Sequence, residues 1–93
     1  MAERLHVIVE GYVQGVGFRA FVIDQARKVG ATGWVRNRWD NSVEVCAEGE
    51  RSILERFLEV LKRGPAPANV REVHDEWQTA SGEFADFRMR SSL

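Results

Sequence analysis

The sequence is poor in cysteine, poor in proline, without a long apolar run, and almost without net charge. Each shortage removes a class of protein. A lone thiol, Cys46, forms neither an internal disulfide framework nor a cysteine zinc site. A chain of 93 residues without such staples must hold itself together by packing one small core. The two prolines and eight glycines sit in no low-complexity stretch, so global disorder is not expected. The mostly apolar run Leu5 to Val9 is interrupted by His6 and is far too short for a secretory core or a bilayer span. A formal charge of −1 gives no reason for broad, charge-driven binding to nucleic acid or to an anionic membrane. The expectation is one domain over residues 1–93, a soluble cytoplasmic monomer with a reduced thiol.

What is present is unevenly distributed. Residues 1–38 carry six Lys/Arg against three acids, and residues 39–93 carry seven against eleven. This is either surface noise in a small protein or the field of an anion site in the first 38 residues. Leu5, Val7 and Val9 alternate along a first strand that Gly11 ends. Phe18, Phe21, Val22, Gln25, Ala26 and Val29 recur at spacings of three and four, predicting an amphipathic helix closed by Gly30. Thr32 to Arg38 reads as a second strand. Asp40-Asn41 suits a tight turn, and Val43, Val45 and Ala47 alternate along a third strand. Ile53, Leu54, Phe57, Leu58 and Leu61 form the strongest helical stripe, within Glu50 to Arg63, and Gly64-Pro65-Ala66-Pro67 stops it. Val70 to Gln78 reads as strand four and Phe84 to Arg90 as a last short strand. The order predicts an α+β, ferredoxin-like βαββαβ sandwich: an antiparallel sheet with two helices on one face. Asp75 shares strand parity with Val73 and Trp77, which are expected to be buried. A bulge or an open sheet end would accommodate it.

The chemically informative segment is Gly11-Tyr12-Val13-Gln14-Gly15-Val16-Gly17-Phe18-Arg19. It joins a strand to a helix N-terminus, where backbone N–H groups lack helical partners and the dipole favours an anion. Gly15 and Gly17 allow the backbone to curl so that these groups point inward. Arg19 in the first turn opposes the dipole by about 0.3–1 kcal/mol, an awkwardness that a bound anion would relieve. Its planar fork matches phosphoryl oxygens. Other phosphate loops fit less well. A Walker loop ends in Gly-Lys-Ser/Thr, and a dinucleotide fingerprint needs a third glycine where Ala20 stands. The segment contains no cysteine, serine, threonine or histidine, so it offers no such covalent nucleophile. Chemistry here would have to use water, positioned beside a substrate with a good leaving group.

The run Val13-Gln14-Gly15-Val16-Gly17-Phe18-Arg19, followed by Gly33-Trp34-Val35-Arg36-Asn37, closely resembles the acylphosphatase family. The resemblance extends over roughly Arg4 to Arg90, including Val43-Glu44-Val45 with Glu48-Gly49 and the Gly64-Pro65 break. The chain departs from the family's habit in its hairpin, Arg38-Trp39-Asp40-Asn41-Ser42, which lacks glycine. It also ends in Met89-Arg90-Ser91, without a closing aromatic. The resemblance implies a small ferredoxin-like enzyme that hydrolyses acyl phosphates to carboxylate and orthophosphate, using no metal, no cofactor and no phosphoenzyme. By position it places the catalytic arginine at Arg19 and the catalytic asparagine at Asn37. The phosphate-binding loop is then Gln14, Gly15, Val16, Gly17, Phe18 and Arg19. On this reading the loop N–H groups and Arg19 hold the phosphoryl oxygens, and Asn37 orients a water in line with the leaving carboxylate. The phosphate itself can take the water's proton.

Other residues read more plainly. His6 and His74 are expected to be structural, and Cys46 a half-buried thiol without a role. Arg36 and Arg38 should project from the opposite face of strand two to Asn37. Trp39 is either an exposed loop residue or a rim to the site. Two alternatives compete: a domain serving a larger carbamoyl-phosphate-using assembly, which the length argues against, and a non-catalytic ferredoxin-like module binding phosphate, another small ligand or RNA. For RNA, a sheet face bearing Ser42, Glu44, Cys46 and Glu48 is expected to be repulsive. The partners expected are a small acyl phosphate and inorganic phosphate, with no nucleic acid and no membrane.

Overall fold

The computed structural model describes residues 2–92. Leu5, Val7 and Val9 alternate with half-buried neighbours, and they lie in a long first strand, β1 (Ala2–Tyr12). The first helix, α1 (Phe18–Val29), buries Phe18, Val22 and Ala26, one face at the expected spacing. Gly30 closes it in a left-handed conformation, its N–H donating to the carbonyls of Ala26 and Arg27. Strands β2 (Thr32–Asn37) and β3 (Val43–Glu50) form a hairpin, with Asn41 at positive φ in the turn. Helix α2 (Arg51–Arg63) buries Leu54, Phe57, Leu58 and Leu61. Strands β4 (Asn69–Thr79) and β5 (Phe87–Met89) complete the chain.

The sheet order is β4-β1-β3-β2-β5. The first four strands are antiparallel, in the ferredoxin-like arrangement expected. The sheet is not wholly antiparallel, however. Strand β5 runs parallel to β2, with Gly33 opposite Phe87 and Val35 opposite Met89. It is also shorter than the expected Phe84–Arg90. Phe87 supplies its core contact: it is fully buried and meets Phe57 edge to face. Gly33 is required sterically, because a Cβ there would lie 1.9 Å from the Cys46 carbonyl oxygen.

The position of Asp75 follows from the sheet edge. Strand β4 has one neighbour, and Asp75 is exposed while Val73 and Trp77 are only half-buried. The register shift in the β1–β4 pairing lies between Glu10 and Gly11, too far away to reverse its side.

The face opposite the helices differs from the sequence expectation. Ser42, Glu44, Cys46 and Glu48 are all buried. They sit on a central strand whose neighbours contribute cationic side chains, and the segment after β4 passes over one end. Glu44 lies 2.6 Å from His6 Nε2 and accepts from Arg36 Nε at 2.7 Å. Glu48 accepts from Arg4 Nε at 2.8 Å and from the backbone N–H groups of Ser81 and Gly82 at 2.8 and 2.9 Å. Burial pushes both carboxyls up, but the donors around them prevail and hold both below their ordinary value. Burial also pushes the Cys46 thiol up, which keeps it neutral. Trp34, the aromatic of β2, is approached by the guanidinium groups of Arg36 and Arg90 at 4.7 and 4.6 Å. With Trp34 only 9% exposed, little ring surface is left for a base to stack on, which disfavours the RNA-binding alternative.

A carboxyl held down by folding stabilises the fold above the ordinary carboxylate range, and loses that contribution as pH falls through its folded value. Glu48→Gln is therefore expected to lower the urea-unfolding free energy at pH 7 by about 1.5–3 kcal/mol. The gap to wild type should close at acidic pH, where wild-type Glu48 is itself protonated. A gap independent of pH would show that lost packing, not lost charge, is responsible.

Candidate active site

The loop between β1 and α1 owes its shape to two glycines. Gly15 and Gly17 have φ of 73° and 79°, and a Cβ at either would meet nothing within 4 Å. Backbone angle, not space, is what selects glycine here. Gly17 is the helix N-cap, and no side chain caps the helix and no acid stands in its first turn. The first bond closing the helix runs from the Phe21 N–H to the Gly17 carbonyl at 3.0 Å. The N–H groups of Phe18, Arg19 and Ala20 precede it and are free of that ladder.

Arg19 and Asn37 are eighteen positions apart in the chain but share one cavity of about 140 Å³. Its wall is made by Val13, Gly15, Gly17, Phe18, Arg19, Ala20, Asn37 and Met89. Larger hollows of about 430, 320 and 230 Å³ include neither Arg19 nor Asn37, though the 320 Å³ one adjoins the cavity at Met89. Among the described residues no carboxylate pairs with Arg19, so its fork is uncommitted. The side-chain oxygen of Asn37 is buried without a hydrogen-bond partner. An orphan acceptor of this kind, on a cavity wall, suits a donor brought by a ligand or a water.

Two of the loop residues expected to bind phosphate face elsewhere with their side chains. Val16 packs against the core. Gln14 reaches across to the β2–β3 hairpin, where its Nε2 donates to the carbonyls of Arg38 at 2.7 Å and Ser42 at 2.8 Å. This amide ties the glycine loop to the strand end that carries Asn37, a role the sequence did not disclose. Arg36 and Arg38 do lie on the other face from Asn37, where both approach Glu44, at 2.7 and 3.7 Å. Trp39 is 86% exposed and is not among the residues forming the cavity wall. His6 and His74 are each bonded to a glutamate, Glu44 and Glu10, outside the cavity. Met89, from β5, is a cavity residue that sequence reading did not assign to the site, as are Val13 and Ala20.

Residues 5–89 match the family model for acylphosphatase. The chain belongs to the acylphosphatase family. It is 48% identical over 90 residues to an acylphosphatase from Moorella thermoacetica, covering 97% of this chain and 96% of that protein. Among solved structures it superposes on an acylphosphatase from Bacillus subtilis with a TM-score of 0.91 and 36% identity, covering 95% and 98% of the two chains. An acylphosphatase from Coxiella burnetii gives 0.89 and 39%, covering 96% and 93%.

Gln14→Leu keeps the side-chain bulk but removes both donors to the hairpin. It should lower unfolding free energy by about 1–3 kcal/mol. It should also weaken binding of inorganic phosphate, read by titration calorimetry. Unchanged phosphate affinity would mean that the loop holds its shape without this amide.

Proposed function

We propose that this protein hydrolyses acyl phosphates to a carboxylate and orthophosphate, with Arg19 and Asn37 as its catalytic residues. The observation that carries this reading is the convergence of an uncapped helix start, an unpaired arginine and an orphaned asparagine oxygen on one small cavity. The N–H groups from Gln14 to Arg19, with the Arg19 guanidinium, hold the phosphoryl oxygens. Charge that builds on those oxygens in the transition state meets donors already in place. Asn37 orients a water for attack on phosphorus. The new P–O bond forms as the bond to the acyl oxygen breaks, and its electron pair leaves on the carboxylate. That leaving group is a weak base and needs no general acid. The water's proton passes to a phosphoryl oxygen, since no histidine or carboxylate among the described residues lines the cavity.

In this reading the substrate is a small molecule, inorganic phosphate is the other ligand, and the protein works as a cytoplasmic monomer without metal. A net charge of −1 supports a small-molecule partner over nucleic acid or a membrane surface. Among the described residues no helix is long and apolar enough to cross a membrane.

Purified protein should release orthophosphate from benzoyl phosphate and from acetyl phosphate equally with and without EDTA. Asn37→Ala should lower kcat by about 10²–10³ with little change in KM. Arg19→Gln should raise both KM and the inhibition constant for phosphate. Activity that vanishes with EDTA overturns the metal-free mechanism, and full activity in Arg19→Gln overturns the site assignment. A folded protein that binds phosphate yet hydrolyses neither substrate favours the binding-module reading.

A further inference from the structure

Within the cavity, most of the wall is polar or committed. The glycine loop offers backbone amides, Arg19 its fork and Asn37 its amide. These are the groups that the proposed reaction assigns to phosphoryl oxygens and water. What remains for the acyl group is the apolar part of the wall. Val13 and Phe18 are each only 1% exposed, so their side chains are spent on the core. Met89 is 46% exposed, which makes it the one large apolar side chain of the wall with surface to offer a ligand.

The backbone beneath Met89 is firmly held. Phe87, two residues earlier, is fully buried. Arg27 Nη2 donates to the Phe87 carbonyl at 3.0 Å, and the Gly33 N–H donates to the Asp86 carbonyl at 2.9 Å. The Arg90 N–H donates to the Val35 carbonyl at 2.8 Å. Met89 thus keeps exposed apolar surface on the cavity wall while its backbone is fixed. Its chain is flexible and polarizable, and sulfur sits favourably at the edge of an aromatic ring.

We infer that Met89 contacts the acyl group of the substrate and biases this enzyme towards acyl phosphates with apolar acyl groups, aromatic ones above all. The inference rests on the acyl phosphate hydrolysis proposed above. It is also selective: Trp39, although far more exposed, is not part of the wall and is assigned no such contact.

The test compares kcat/KM for benzoyl phosphate and acetyl phosphate in wild type, Met89→Ala, Met89→Leu and Trp39→Ala. The ratio of the two, compared between variants, cancels the unequal intrinsic reactivity of the substrates. Met89→Ala should lower the benzoyl-to-acetyl ratio about 3–10-fold, a half-exposed share of what a buried apolar contact discriminates. Met89→Leu should restore most of it, and Trp39→Ala should leave it at the wild-type value. Inhibition by inorganic phosphate reports whether the cradle is intact in each variant. Equal losses for both substrates in Met89→Ala would overturn the inference and make Met89 a support for the site. So would a ratio that responds to Trp39 and not to Met89. Wild type inactive on both substrates would overturn the underlying hydrolase reading, and this inference with it.

Discussion

The structure depends on two carboxylates buried on its central strand. Burying a charge is expensive, and the expense is tolerable only when its oxygens find partners. Glu44 and Glu48 meet that condition by drawing donors from β1, from β2 and from the segment after β4. Each therefore ties together pieces of chain distant in sequence. Glu44 holds the arginines on either side of Asn37, which leaves the asparagine free on the opposite face. Glu48 fixes the chain that leads to β5, and β5 brings Met89 to the site.

The other face works by a different principle. Apolar residues pack the helices onto the sheet, and the loop before α1 rests on that packing through Val13, Val16 and Phe18. The glycine backbone can then be used for function because its neighbours, not itself, supply stability. Gln14 completes the arrangement by joining loop and hairpin with one amide. The site is thus assembled from a loop, a strand end and an edge strand, each fixed separately. An enzyme of this size needs no second domain to form a cavity.

Much of this was readable in the sequence, for identifiable reasons. Period-two alternation in β1 and β3 and the stripes of α1 and α2 carried the architecture, because each element has one apolar face. Gly15, Gly17 and Arg19 were legible because their residue types are unusual at a helix start. Asn37 was legible only through family resemblance, since an asparagine at a strand end has no distinctive pattern of its own. The polar parity of Ser42, Glu44, Cys46 and Glu48 misled, because alternation reports polarity and not exposure. Their burial comes from Arg4, His6, Arg36 and the segment at Ser81–Gly82, which only the folded register brings near. The same applies to Gln14 and Met89: their partners are set by three-dimensional placement, and the short parallel pairing of β5 has no periodic signature.

The place of β1 in the sheet has a consequence for how the chain acquires its structure. β1 lies between β3 and β4, with Ala2 opposite Glu50 and Glu3 opposite Thr79. Its second neighbour is supplied only by residues Asn69–Thr79. Local helices can form early, but the long-range pairings that close the core come last. The alternating apolar residues Leu5, Val7 and Val9 are thus unsatisfied until those pairings form. Closing the sheet around β1 therefore requires a chain that reaches Thr79, and pairings of that sequence separation form late in folding.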